Sequence, residues 1–234
     1  MIKALFPKLL IFDFDGVLVD SELIIHQILI EEIAHYGPRF KLNVFMNRFA
    51  GRTTADIVKI IKIENKVQWP DDFLKHLEEQ LLIKLPPRLR STPGTIETLP
   101  TLSELQCVAS NASEERLHYL LNIVNLSEFF KGNIFSAEMV AHPKPHPDLF
   151  LFSAKTMGVS PQDCLVIEDS VTGIKAAKAA GMKALGFTGA HHLGSAYNKR
   201  LLEAGAALIF KNMSELPSLL ESLRNQEAGI KETL

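Results

Sequence analysis

The residues best suited to chemistry lie in an acidic run near the N-terminus, Asp13-Phe14-Asp15-Gly16-Val17-Leu18-Val19-Asp20. It overlaps the apolar segment 9–14, which has the length of a buried strand, so Asp13 falls where ligands gather beyond the strands of a parallel sheet. Because side chains alternate along a strand, Asp13 and Asp15 share one side. Two acids placed so close are costly unless a cation neutralises them, so the run indicates a cation-binding site.

Further polar residues follow other apolar segments. Ser110 ends the segment 105–110 and is followed by Asn111, and the pair Glu168-Asp169 comes directly after 164–167. Lys144 lies in the loop sequence His-Pro-Lys-Pro-His-Pro-Asp-Leu-Phe. Since the carboxyl ends of parallel strands share one edge of the sheet, we expect these side chains to lie together.

Each of these residues has an ordinary interpretation when it is taken alone. Asp15 and Asp20 could cap a turn or a helix, and for Asp20 capping remains the preferred interpretation. Lys144 could be a surface lysine, Ser110-Asn111 a strand-to-helix turn, and Glu168-Asp169 the acids of a helix N-terminus. Five such coincidences at strand ends are less probable than one shared site.

The elements that must position these residues alternate between strand and helix. Short apolar runs suit parallel strands buried on both faces; they are 9–14, 105–110, 133–135, 164–167, 184–187 and 207–210. Helical patterns lie between or after them, at 147–157, 171–180, 195–204 and 214–224, and Gly158 and Gly181 stand at two helix ends. This alternation predicts an α/β fold with a doubly wound parallel sheet.

One stretch breaks the alternation, because residues 21–85 contain successive helical patterns at 23–36, 54–62 and 71–85 without a clear strand. Pro86-Pro87 and Pro93-Gly94 then mark the return to the sheet. The prediction is a core domain made of residues 1–19 and 89–234, with an inserted all-helical cap domain at 20–88.

Composition narrows the function class. The 234 residues are 47% hydrophobic and carry a formal net charge of −2, without a visible basic stripe. A globular protein that does not bind nucleic acid is therefore expected. No apolar run reaches the ~20 residues of a membrane span, and residues 1–10 do not form a secretory signal, so a cytoplasmic protein is predicted. Cys107 and Cys164 sit in apolar runs and are interpreted as buried thiols.

The four polar segments, taken together, resemble the motifs of the haloacid dehalogenase-like hydrolase superfamily. Residues 13–20 match its first motif, D-x-D-G-x-x-x-D, and Ser110 matches the Ser/Thr of the second. Lys144 matches the lysine of the third, and Glu168-Asp169 matches the acidic fourth. The resemblance covers residues 9–187, and the helical stretch lies where the family places its type 1 cap.

The resemblance implies a role for each of these residues. Asp13 would be the nucleophile that carries the phosphoryl group, and Asp15 the acid and then the base. Mg²⁺ would be held by Asp13, Asp15 through its backbone carbonyl, Glu168 and Asp169. Ser110, Asn111 and Lys144 would bind the phosphate, with Lys144 offsetting its charge. The implied catalytic residues are Asp13, Asp15, Ser110 and Lys144.

A cap segment at residues 49–56 resembles the family loop that faces the active site, and Arg52 is its candidate substrate contact. An exposed arginine near a helix start is an equally good interpretation. The pair His191-His192 follows a strand, but adjacent loop histidines are mostly solvated, and a metal role is not favoured.

The resemblance is greatest to phosphatases and mutases of small phosphosugars, including the β-phosphoglucomutase group. Those mutases carry a histidine where this chain has Ile25, and His26 is turned about 100° from it on a helix. The same mutases also carry a cap arginine at the position of Thr54. Both differences count against a mutase. Dehalogenases lack an aspartate at the position of Asp15, so dehalogenation is not expected.

These comparisons of motif predict a Mg²⁺-dependent phosphatase of a phosphosugar or sugar-acid phosphate. The alternatives are a mutase of the β-phosphoglucomutase type and a non-catalytic member that binds a phosphorylated metabolite. The expected partner is a small phosphorylated metabolite, with neither nucleic acid nor membrane; the sequence does not decide between monomer and homodimer.

Overall fold

The computed structural model describes residues 6–49, 52–190 and 194–232. Within them, six strands form one parallel sheet in the order β3-β2-β1-β4-β5-β6. The strands are β1 Leu9–Phe12, β2 Leu105–Ser110, β3 Ile134–Ser136, β4 Cys164–Glu168, β5 Lys183–Phe187 and β6 Ile209–Phe210. The chain adds strands on both sides of β1, so the predicted doubly wound α/β sheet is confirmed.

Alternating side chains of the strands feed two separate hydrophobic clusters. Leu10 and Phe12 of β1 belong to one cluster, whereas Leu9 and Ile11 belong to the other. Both faces of the central strand are therefore covered, which explains why its sequence is apolar without a polar alternation. Both cysteines lie in the second cluster, where burial raises the pKa of the Cys107 thiol and raises that of Cys164 to about 12.

Four of the described helices lie between the turn after β1 and Ser91, and we call them the helical insertion. They are α1 Glu22–Ala34, α2 Leu42–Phe49, α3 Thr54–Asn65 and α4 Phe73–Lys84. Their apolar faces form a third cluster that includes Leu29, Phe45, Ile61 and Phe73, so the insertion has a core of its own. The segments that enter and leave it lie side by side, with Val19 bridged to Ser91.

The other helices pack around the sheet. They are α5 Thr95–Thr98, α6 Glu114–Ile123, α7 Ser127–Phe130, α8 Asp148–Thr156, α9 Val171–Ala179, α10 Gly194–Ala204 and α11 Leu216–Glu232. Gly158 and Gly181 have φ values of 69° and 72°, the left-handed conformation expected after a helix. No helix in the described ranges is long and apolar enough to cross a membrane.

Several boundaries differ from those expected. Strand β6 is two residues shorter than the predicted segment 207–210, and α11 extends to Glu232 rather than ending at Arg224. Helices α6 and α7 were not anticipated, although Leu117, Leu120 and Leu121 in α6 have helical spacing.

Candidate active site

The two acids of the first motif leave β1 through a tight turn. The backbone N–H of Asp13 donates to the Ile167 carbonyl at 3.0 Å, so Asp13 is still aligned with β4. The chain then turns at Gly16, which has a φ of +81°. A Cβ atom on Gly16 would lie 1.9 Å from Oδ2 of Asp169, so only glycine lets these two segments approach.

Lys144 lies at the centre of the predicted site and joins three segments. Its Nζ donates to Asp13 Oδ1 at 2.8 Å, to Glu168 Oε1 at 2.8 Å and to the Ala109 carbonyl at 2.9 Å. Only 3% of its side chain is exposed. Burial lowers the pKa of Lys144, but the charges of Asp13 and Glu168 outweigh burial, and the pKa lies above its ordinary value. The buried lysine is therefore cationic.

Asn111 fixes the loop that carries this lysine. Its side-chain oxygen accepts from the Lys144 backbone N–H at 3.1 Å, and its Nδ2 donates to the Lys144 carbonyl at 3.2 Å. Ser110 is buried at the end of β2 and lines the same cavity as Asn111. The Ser110 Oγ accepts from the Ala112 N–H at 3.3 Å. The second and third motifs are thus held to each other at the sheet edge.

Three buried acids offer a group of oxygens suited to a hard cation. One carboxylate oxygen from each of Asp13, Glu168 and Asp169 lies within 4.8 Å of the others. Burial, partly opposed by Lys144 and reinforced by the other two acids, raises the pKa of Asp13 well above its ordinary value. Three carboxylates buried together, with their all-oxygen donor set, fit Mg²⁺.

Glu168 is held in place by the helix that follows it. Its Oε2 accepts from the backbone N–H of Ser170 at 2.7 Å and from Ser170 Oγ at 2.8 Å. Gly173 in the first turn of α9 makes room, because a Cβ atom there would lie 1.7 Å from Glu168 Oε1. The carboxylate is therefore confined between a capped helix start and Lys144.

The Asp15 carboxylate has a different environment from that of Asp13. Ser21 Oγ donates to its Oδ1 at 2.6 Å, and Arg116 Nη2 donates to its Oδ2 at 2.9 Å. Arg116 also donates through Nη1 to Glu78 Oε2 at 3.0 Å. Neither Arg116 nor Glu78 was identified from the sequence; the signal that could have pointed to Arg116 is its place shortly after Ser110 in the chain.

A cavity of about 650 Å³ lies between the sheet edge and the helical insertion. All the predicted core residues line it: Asp13, Asp15, Ser110, Asn111, Lys144, Glu168 and Asp169. The insertion contributes Ile25, His26, Arg52, Thr54 and Glu78, among others. Arg52 therefore lines the cavity, although its side chain is exposed, and Ile25 and His26 both border the cavity.

Two further features were considered from the sequence. Asp20 is not part of the cavity wall; its backbone N–H donates to the Arg90 carbonyl at 3.0 Å, where the chain enters the insertion. The pair His191-His192 falls outside the described residues.

Comparison with known proteins points to one family of hydrolases. The family model described as haloacid dehalogenase-like hydrolase matches residues 10–187. A 6-phosphogluconate phosphatase from Escherichia coli strain K12 is 27% identical over 209 residues, which cover 89% of this chain and 92% of the relative. Three further relatives are named as phosphatases of fructose 1-phosphate, of phosphorylated carbohydrates and of hexitol.

Solved structures resemble this chain over nearly its whole length. A haloacid dehalogenase-like protein of unknown function from Agrobacterium tumefaciens is 36% identical with a TM-score of 0.83, covering 93% of this chain and 99% of that one. A protein described as a putative β-phosphoglucomutase from Thermotoga maritima is 25% identical with a TM-score of 0.72, covering 92% and 99%.

Proposed function

We propose that this chain, which belongs to the haloacid dehalogenase-like hydrolase family, uses Mg²⁺ and a phospho-aspartate on Asp13 to hydrolyse a small phosphorylated sugar or sugar acid. Its reaction class, phosphoric monoester hydrolysis, follows from the family and its named relatives. The single observation that carries the residue assignment is the contact of buried Lys144 with both Asp13 and Glu168 at the carboxyl edge of the sheet.

Positive charge near the transferring phosphoryl group would come from two sources, the Mg²⁺ held by the acids and the side chain of Lys144. Asp13, Glu168 and Asp169, with the backbone carbonyl of Asp15, would hold Mg²⁺, which when bound supplies positive charge to the transferring phosphoryl group. Lys144 contacts two of these acids and supplies a second, fixed positive charge. Ser110 and Asn111 face the same cavity and would bind the phosphate oxygens.

Transfer of the phosphoryl group to the enzyme and its release to water both require two aspartates, Asp13 as the nucleophile and Asp15 as the acid and then the base. An oxygen of Asp13 forms a bond to phosphorus, the bond from phosphorus to the substrate oxygen breaks, and Asp15 donates its proton to that oxygen. The product is an alcohol. Asp15, now a carboxylate, takes a proton from water as the water attacks phosphorus. The bond to Asp13 breaks, and inorganic phosphate leaves.

The charges on the insertion side of the cavity favour hydrolysis over a mutase reaction. A mutase must hold a second phosphate far from the nucleophile. Arg116 is already paired with Asp15 and Glu78, which leaves Arg52 as the available arginine among the described lining residues. Ile25 and Thr54 supply no charge, and Glu78 adds no positive charge to the same wall. Carboxylates and threonines are suited instead to the hydroxyls of a sugar.

The test is the substitution Asp13→Asn, assayed for phosphate release with p-nitrophenyl phosphate and with fructose 1-phosphate. An amide is a poor nucleophile and a weaker Mg²⁺ ligand, so kcat should fall at least ~1,000-fold for both substrates. The matched control is Asp163→Asn, because Asp163 precedes β4 at the opposite end of the sheet and should tolerate the change.

Circular dichroism and thermal unfolding check that Asp13→Asn is folded. Near-normal phosphate release by the folded variant would reject a phospho-aspartate on this residue. Conversion of a hexose phosphate to its isomer by the unsubstituted enzyme, without comparable release of phosphate, would favour the mutase alternative.

A further inference from the structure

Arg116 connects three parts of the molecule that the reaction must bring together. It lies in the first turn of α6 in the core, contacts Asp15 in the turn after β1, and contacts Glu78 on α4 of the helical insertion. Only 10% of its side chain is exposed, compared with 25% for Asp15 and 34% for Glu78. The guanidinium is therefore a nearly buried bridge between two acids that are open to the cavity.

On the core side, this bridge fixes the orientation of Asp15. Arg116 holds Oδ2 at 2.9 Å and Ser21 holds Oδ1 at 2.6 Å, so each carboxylate oxygen has one donor. A carboxylate oxygen has two acceptor positions. Each Asp15 oxygen therefore keeps one that can carry the proton for the leaving group or accept a proton from water. The contact orients the carboxylate without blocking it.

On the insertion side, the bridge depends on Glu78. Glu78 Oε2 accepts from Arg116 Nη1 at 3.0 Å, and its Oε1 accepts from Ser113 Oγ at 2.7 Å. Ser113 also accepts from the Arg116 backbone N–H, so the start of α6 holds Glu78 through two side chains. The Arg116 Nε is buried and finds no hydrogen-bond partner among the described residues. Glu78 and Asp15 are thus the two anchors of the guanidinium.

We propose that Arg116 is a positioning residue that couples the seating of the helical insertion on the core to the orientation of Asp15. The inference rests on the proposed role of Asp15 as acid and base. When the insertion is seated, Glu78 fixes one end of the guanidinium and the other end fixes Asp15. If the insertion moves away, Arg116 loses one of its two anchors, and Asp15 is held less well.

With such a coupling, Asp15 would transfer its proton efficiently only when the insertion is seated on the core. A displacement of about 1 Å at a catalytic group costs on the order of 100-fold in rate. A phosphate monoester would therefore be cleaved efficiently only when its leaving group lies under the insertion. This arrangement would protect the site from unselective hydrolysis of phosphates that do not allow the insertion to seat.

The effect is measurable because leaving groups differ in their need for a proton. p-Nitrophenolate is a weak base and leaves with little assistance, whereas the phenolate of phenyl phosphate, with a conjugate-acid pKa of about 10, needs the proton that Asp15 supplies. Both substrates present an aromatic ring to the cavity, so a change in binding affects them similarly. Their ratio of kcat/KM reports on acid catalysis.

The experiment compares Arg116→Met and Arg116→Lys in the full-length protein with Mg²⁺. For Arg116→Met, kcat/KM should fall about 100-fold with phenyl phosphate and less than about 5-fold with p-nitrophenyl phosphate. Arg116→Lys keeps one positive charge but cannot bridge two carboxylates as a planar fork does, so it should fall between Arg116→Met and the unsubstituted enzyme. Because this variant keeps the charge, it answers the question even if Arg116→Met does not fold.

The dependence on the insertion is tested with Glu78→Ala. It should shift the ratio of the two substrates in the same direction as Arg116→Met, and the double variant should be no worse than Arg116→Met alone. The matched control is Glu79→Ala, an exposed neighbour on the same helix, which should leave the ratio unchanged.

The outcomes separate this inference from the proposed function. If Asp13→Asn is inactive but folded Arg116 variants lose the same factor with both substrates, only the positioning role is overturned. An additive double variant would overturn the link through Glu78. If Asp13→Asn remains active, the proposed function itself fails.

Discussion

The carboxyl edge of the sheet and the helical insertion contribute to the same cavity by different means. At the sheet edge, each polar residue ends a strand, directly follows one or is bonded to one. Lys144 contacts both Asp13 and Glu168 at 2.8 Å. The insertion supplies residues from helix faces and from the segment before α3, among them His26, Arg52 and Thr54. The sheet edge thus holds a fixed group of charges, and under the proposed function the insertion would surround the part of the ligand that differs between substrates.

The two regions also differ in what their charged groups require. Asp13, Lys144 and Glu168 are buried, so each needs a partner within hydrogen-bonding distance, and a small displacement is costly. Arg52 is exposed, so water can solvate its charge and it does not need a protein partner. Substitutions at the sheet edge should therefore change the rate. Substitutions in the insertion, apart from Glu78 with its contact to Arg116, should change stability or substrate preference.

The sharpest test at the sheet edge is Gly173→Ala. A Cβ atom there would lie 1.7 Å from Glu168 Oε1, so the carboxylate must leave its contact with Lys144. We expect the Mg²⁺ concentration for half-maximal activity to rise 10–100-fold, the range seen when groups that orient metal ligands are changed. The measurement is phosphate release during a Mg²⁺ titration.

The helix itself should not suffer, because alanine is about 1 kcal/mol more favourable than glycine in a helix. Lys175→Ala, an exposed position on the same helix, is the control and should titrate as the unsubstituted enzyme does. A Gly173→Ala enzyme with an unchanged Mg²⁺ requirement would show that Glu168 has room to move and that the sheet edge is less rigid than this comparison holds.

The contrast explains which parts could be predicted from sequence. Strand β2 spans 105–110 as predicted, and Ser110 and Glu168 were located because a strand end fixes its position within one or two residues. The contact between Arg116 and Glu78 joins positions 38 residues apart on two helices. A helix pattern gives the face of each helix but not the helix it meets, so this contact was not predictable.

Charge pairing inside the insertion also escaped prediction. Glu32 on α1 is buried, and its carboxylate accepts from Lys84 Nζ at 2.6 Å and pairs with His76 Nε2 at 2.9 Å. Both partners lie on α4, so the three residues join two helices of the insertion. Amphipathic spacing alone indicates that α1 and α4 bury apolar faces, and it says nothing of an acid that is buried with them.

The substitution Glu32→Gln tests whether the insertion is held by this cluster. Burial raises the pKa of Glu32, but its hydrogen bonds to Lys84 and His76 outweigh burial and lower the pKa below the ordinary value. The stabilisation is therefore present above the unfolded-state pKa and is lost as pH falls through the lower folded-state pKa. We expect the variant to lose about 2 kcal/mol of unfolding free energy near pH 7, and the loss should shrink below pH ~4.

Thermal or urea unfolding at several pH values measures this difference. Glu31→Gln is the matched control, because Glu31 is exposed and its contact with Lys84 is 3.5 Å long. A loss for Glu32→Gln that stays constant from pH 7 to pH 3 would mean that packing, and not the charge, holds α1 to α4.

The smallest expected effect belongs to Arg52, which tests whether this exposed residue of the insertion acts on substrate preference and not on the rate. Arg52 lines the cavity but is exposed, so its contact with a ligand is screened by water. For Arg52→Ala we expect KM to rise about 3–10-fold with 6-phosphogluconate, whose carboxylate the arginine would meet, while kcat stays within about twofold. With p-nitrophenyl phosphate, which has no second acid, KM should not change. Arg48→Ala is the control, because Arg48 on α2 is paired with Glu64 and does not line the cavity. Equal changes in KM for both substrates would place Arg52 against the phosphate that all substrates share. That result would contradict a role for Arg52 in substrate preference.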